Sequence, residues 1–174
     1  MKTRFGRAPG EFWQFLVITL ALAPLNSQQP ASGPHAGSFT CPVTTPNGQQ
    51  YGDPPEGGNH GNEFLVTGLW PDGKVIFKPG GPGFVARDGS LQMKFWWWRR
   101  VKGQLTFEGR RLDGPAPPLR AYVPQGYGES GFQATGLTFP TPGCWEVTGR
   151  VGAGSLTFVT QVVKVGKGPS PAAP

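Results

Sequence analysis

Leu91-Gln92-Met93-Lys94-Phe95-Trp96-Trp97-Trp98-Arg99-Arg100 is the stretch that decides how this chain folds. Its alternation has the period of a β-strand, so Leu91, Met93, Phe95 and Trp97 share one face. Gln92, Lys94, Trp96 and Trp98 share the other. The first set reads as core.

The same pattern extends outward. Leu105 and Phe107, Leu137 and Phe139, Trp145 and Val147, and Leu156 and Phe158 repeat the inward spacing. Runs of β-branched and aromatic residues between turn signals place strands near 63–70, 74–78, 90–98, 104–111, 119–123, 132–139, 143–151 and 155–165. Asp88-Gly89 and Gly152-Ala153-Gly154 are turns. Pro71-Asp72-Gly73 reads as a hairpin turn, with Pro where φ near about −65° is wanted and Gly where φ is positive. Pro115, Pro117 and Pro118 lack ladder donors, so 113–118 reads as a loop crossing between sheets.

Composition agrees. With 28 Gly and 20 Pro in 174 residues, long helices are excluded. The 37% hydrophobic content excludes wholesale disorder. The expected fold class is all-β, a sandwich of two sheets over residues 63–165. Residues 28–62 are rich in Pro, Gly, Gln and Asn and read as an extended or mobile arm docked only at Phe39, Cys41 and Val43. Residues 166–174 read as a disordered tail.

Lys2, Arg4 and Arg7 precede the apolar stretch Phe12 to Ala23, the layout of a secretory signal peptide over residues 1–27. The stretch is shorter than the roughly 20 residues of a membrane helix, so cleavage is expected and an uncleaved anchor is the alternative. The membrane is a partner only in that second case. An extracytoplasmic location follows, whether secreted, periplasmic or at the cell surface. In such a compartment Cys41 and Cys144 are expected to form a disulfide, with two free thiols as the alternative. Cys144 alternates with Trp145, so the bond would pin the arm to the outside of its strand.

The formal net charge is +6, of which residues 1–27 supply three positive charges and one negative. Lys94, Arg99, Arg100, Lys102, Arg110 and Arg111 cluster in sequence and read either as a patch for a surface polyanion or as solvated strand faces. No nucleic-acid partner is expected.

Chemistry is thin. Gly126-Tyr127-Gly128-Glu129-Ser130-Gly131 matches a dinucleotide-binding pattern literally, but a strand follows where a helix is needed, so it reads as a turn. No cofactor is expected. Ser130 lacks the second glycine of a nucleophile elbow, since Phe132 stands there. His35 and His60, with Asp53, Glu56 and Glu63 nearby, have no zinc-ligand spacing and read as solvated loop residues. A hydrolase or metal-binding role on His60 is the enzyme alternative; neither catalysis nor a metal is expected.

The segment Leu137-Thr138-Phe139-Pro140-Thr141-Pro142-Gly143-Cys144-Trp145-Glu146-Val147 resembles the E–F corner and F strand of an immunoglobulin-like sandwich. Gly143 matches the family's Gly, Thr141 stands for its Asp, Trp145 for its Tyr and Val147 for its Cys. Trp145 keeps the packing body and one N–H donor, but cannot reproduce the phenol's corner bond in the same geometry. More broadly, Leu105 to Val151, with Gly109-Arg110-Arg111-Leu112-Asp113, Ala116-Pro117-Pro118-Leu119-Arg120 and Gly131-Phe132-Gln133, is similar to small secreted bacterial proteins of unassigned function. The resemblance implies a bacterial, extracytoplasmic, immunoglobulin-like domain and no activity.

Trp96 and Trp98 carry the most functional content, because both leave the core on one strand face about 6 to 7 Å apart. With Arg99 and Arg100 they form the expected binding set for a cell-wall polysaccharide or a surface protein. The alternative is a purely structural domain in which the arm or the 113–118 loop covers the tryptophans.

Overall fold

A computed structural model describes residues 39–70, 72–78, 81 and 83–166. The signal segment 1–27, arm residues 28–38 and tail residues 167–174 lie outside the described residues.

Alternating apolar residues give strands because a pleated chain can bury every second side chain while its backbone bonds laterally. Among the described residues there are ten strands and no helix. In chain order they are β1 (His60–Gly61), β2 (Leu65–Thr67), β3 (Lys74–Phe77), β4 (Phe84–Val85) and β5 (Leu91–Arg99). Then follow β6 (Leu105–Arg111), β7 (Arg120–Tyr122), β8 (Gly131–Phe139), β9 (Gly143–Val151) and β10 (Gly154–Lys164). Sheet one runs β1-β2-β5-β8-β7, with β4 also paired to β5; sheet two runs β3-β10-β9-β6. All pairings are antiparallel except β3 with β10.

The protein is thus an all-β sandwich, and its core is the one that the alternation predicts. Leu91, Phe95 and Trp97 from sheet one meet Trp145, Val147 and Phe158 from sheet two. Across the gap Phe95 lies 5.5 Å from Phe158 and Trp97 5.2 Å from Phe107, ring centre to ring centre. Trp97 lies over Gly149 so closely that a Cβ there would stand 3.0 Å from the indole, which leaves the position to glycine. Two buried threonines are bonded, Thr135 Oγ1 donating to the Phe95 carbonyl and Thr160 Oγ1 to that of Gly73, whereas the buried Trp97 Nε1–H has no partner.

The eight expected strands are present, and the 113–118 segment does cross from β6 in sheet two to β7 in sheet one. The hairpin expected at 71–73 does not form. Gly73 has the positive φ of a turn, +66°, and its N–H donates to the Trp70 carbonyl. Yet β2 pairs with β5 and β3 with β10, so this turn carries the chain from one sheet to the other. The physical reason is that the Gly73 carbonyl is taken by β10, through Gln161 N–H and Thr160 Oγ1.

The arm also differs from expectation over residues 39–62. Cys41 is bonded to Cys144, whose side chain lies opposite Trp145 on the outer face of β9 and is fully buried beneath the arm. Thr44 then bonds both backbone groups of Val159, through its own N–H and its Oγ1, and so prolongs the ladder on β10. Further on, the Asn47 side chain bonds the N–H and C=O of Gly61, and that of Asn59 bonds those of Leu69. These side-chain amides act as peptide-like strand partners. The segment is therefore docked well beyond Phe39, Cys41 and Val43, and the sheet begins at His60.

Candidate functional site

The two outer faces of the sandwich are chemically different. On sheet two, Arg110 pairs with Glu146 at 2.8 Å and Arg150 with Glu108, so the outer charges of β6 and β9 satisfy one another, while Lys74 at the β3 edge has no carboxylate partner among the described residues. On sheet one, the register sets Trp98 beside Phe132, Trp96 beside Ala134, and Lys94 beside Gly136. Tyr122 of β7 stands on the far side of Gly136, and Phe84 of β4 beside Gln92. Residues directly opposite one another in adjacent strands share a face. Most of the large apolar side chains exposed among the described strands thus belong to this face: Phe84, Tyr122 and Phe132, with Tyr127 leaning on Phe132 at 5.7 Å.

The result is a shallow trough. Its floor is Ala134 and Gly136, where small side chains keep the sheet open. One wall is Trp96 with Lys94; the other is Tyr122, 71% exposed, and Phe132 closes an end. The walls rise from strands two spacings apart, about 10 Å. Beside Trp96 a further cleft of about 350 Å³ opens between Gly68, Trp70 and Lys94.

Of the four residues expected to bind a ligand, the structure keeps three on this side and removes one. Trp96 and Trp98 are half-buried. Tyr51 covers Trp98 in a parallel stack at 4.2 Å and meets Trp96 edge-on at 5.8 Å. Arg100 is exposed, and its guanidinium donates to the Gln50 carbonyl at 2.6 Å. Arg99 faces the opposite way, only 3% exposed, because it continues the inward series of Phe95 and Trp97. Tyr51, Phe132 and Tyr122 were not part of that expectation; alternation on neighbouring strands places the last two on the face, but only once the pairing register is known.

Arg99 explains the glycine-rich loop. Its guanidinium donates to the carbonyls of Gly103, Tyr127 and Gly128 at 2.9, 2.9 and 3.1 Å. Positive φ at Gly126 and Gly128, +97° and +67°, bends the loop around that cation. A phosphate loop turns N–H groups inward; this one turns carbonyls inward onto an arginine. Burial lowers the Arg99 pKa, yet the group stays protonated. Arg99→Met should destabilise the domain by about 2 kcal/mol, the scale of hydrogen bonds from a charged donor, and open 124–131 to proteolysis. Unchanged urea midpoint and unchanged cleavage would show the cage to be incidental.

The basic cluster does not survive folding as one patch. Arg110 is paired with Glu146, Arg111 with Asp113 at 2.6 Å and Lys102 with Glu129 at 3.1 Å. His60 is no loop residue either: it sits in β1, 8% exposed, and burial lowers its pKa against a bond to the Thr157 backbone. Glu56 and Glu63 are exposed, and among the described residues no three His, Cys, Asp or Glu side chains converge.

The corner before β9 is closed by a bond of the indole's own geometry. Trp145 Nε1–H donates to the Thr141 carbonyl at 2.9 Å, so the indole does bond back to the corner. Its longer side chain reaches a carbonyl four residues upstream while the indole packs on Phe139 at 5.7 Å.

No protein-family model, curated protein or solved structure matches this chain.

Proposed function

We propose that the chain is a non-catalytic, extracytoplasmic immunoglobulin-like module that binds a glycan of the bacterial surface through the outer face of sheet one. Its immunoglobulin character is supported by strand order: β2-β5-β8-β7 over β6-β9-β10 corresponds to the A-B-E-D and C-F-G sheets of that fold. The bonded Trp145 corner adds to this. The Cys41–Cys144 disulfide accords with an oxidising compartment.

The observation that carries the binding function is the contrast between faces. Sheet two shows water matched ion pairs, whereas sheet one shows it aromatic walls around a floor of Ala134 and Gly136. Aromatic side chains beside an open strand floor offer surface on which sugar rings stack, and exposed apolar side chains gathered on one face mark an interaction site. Replacing Tyr122 and Phe132 together by Ser should reduce co-sedimentation with purified cell-wall glycan at least tenfold and leave the thermal midpoint within a few degrees.

A second reading, in which the tryptophans only seat the arm, is favoured by the Tyr51–Trp98 stack and the Arg100 bond to Gln50. It expects the reverse pattern. Tyr51→Ser would then lower stability by about 1 kcal/mol, the scale of an aromatic pair, while the Tyr122 and Phe132 substitutions would change nothing.

A further inference from the structure

We infer that the ligand of the sheet-one trough is an acidic glycan, whose sugar carboxylate is taken by Lys94. This rests on the glycan-binding reading above and names the class of sugar. Among the described residues the outer face of sheet one carries three cations, Lys94, Arg100 and Arg120. Two are engaged. Arg100 donates to Gln50, and Arg120 reaches Asp88 at 3.4 Å and Ser90 Oγ at 3.3 Å. The Asp88 pKa is lowered, first by its bond from the Ser90 hydroxyl, so that carboxylate stays ionised beside Arg120. Lys94 is exposed and has no carboxylate partner among the described residues.

Its position gives that ammonium a task. The register holds Lys94 directly beside Gly136, with Tyr122 next across the sheet and Trp96 two residues along on the same face. Gly136 leaves the space above the sheet empty; even a Cβ there would only reach ordinary contact with Tyr122, at 3.7 Å. A sugar ring stacked on Tyr122 or Trp96 therefore has beside it in Lys94 a cation without a carboxylate partner, while Asp88, the anion on this face, is paired with Arg120. The same charges disfavour a second copy of this chain as occupant, because a two-fold face-to-face pair would bring Lys94 and Arg120 toward their own kind. Single-stranded nucleic acid also stacks on aromatic rings, but it needs a track of cations along its backbone, and here the neighbouring arginines are already bonded.

The test uses the full chain and affinity electrophoresis in polygalacturonate, alginate and hyaluronate, each beside its carboxyl-reduced form, with an oligo-dT gel as a further arm. At least one acidic polymer should retard the protein about tenfold more strongly than its reduced form, and salt should erase the difference. Lys94→Gln should bring acidic-polymer affinity down to the reduced-polymer level and leave the latter unchanged. Gly136→Val, checked for an unchanged thermal midpoint, should weaken both. Equal affinity for acidic and reduced polymers overturns the role of Lys94 and leaves the glycan reading standing. Binding of no polymer overturns both, and tighter binding of oligo-dT than of every glycan replaces the ligand class.

Discussion

Reduction of the Cys41–Cys144 bond is expected to lower the free energy of unfolding by about 4 kcal/mol, close to what chain entropy assigns to a loop of this size. The bonded residues are 103 apart in sequence, so the bond restrains most of the described chain in the unfolded state. In the folded state it ties the arm to β9 at the point from which Thr44 continues along β10. Urea unfolding with and without reductant, and of the Cys41→Ser, Cys144→Ser double variant, measures the effect. A loss below about 1 kcal/mol would mean that the reduced unfolded chain keeps residual structure that already restrains it without the bridge. The reduced protein should also label slowly at Cys144, since that sulfur is fully buried while the arm remains docked.

Trp145→Ala should cost a further 3 to 5 kcal/mol or so, the range for deleting a large buried aromatic side chain. Trp145 is fully buried against Phe139 and closes the corner between the sheets through its bond to Thr141. Trp145→Phe separates the two contributions. It keeps an aromatic body and removes the N–H, leaving the Thr141 carbonyl without that donor, and should cost about 1 to 2 kcal/mol through the bond and the reduced volume. If Phe is as stable as Trp, the corner bond contributes nothing and packing alone explains the residue.

Legibility varied with the range of the interaction. Long strands such as β5, β8, β9 and β10 were readable because each carries several turns of the two-residue period. β1 and β4 were not, since two residues contain no period. The turn at Gly73 was readable as a turn, but not as a passage between sheets, because a turn's own residues do not specify which strand will pair beyond it. Asn47 and Asn59 looked like loop formers, which they are in isolation; their role as strand substitutes exists only where Gly61 and Leu69 present free backbone groups to them.

The candidate site divides the same way. Alternation correctly placed Trp96 and Trp98 outside the core. Carried one residue further, it also places Arg99 inward, yet its chemistry as an exposed cation suggested a ligand residue. A buried arginine becomes tolerable only because a distant glycine loop folds its carbonyls around it.

What the sequence alone determined is the β class, the two-sided character of each long strand, and the side of β9 from which Cys144 projects. All three follow from backbone geometry within a few residues. The tertiary structure alone decided which sheet each strand joins, that Tyr51 covers Trp98, and that Lys94 and Tyr122 flank one glycine. Those outcomes depend on pairing between remote segments, where the competition among partners is settled by burial and hydrogen bonding over the whole sandwich.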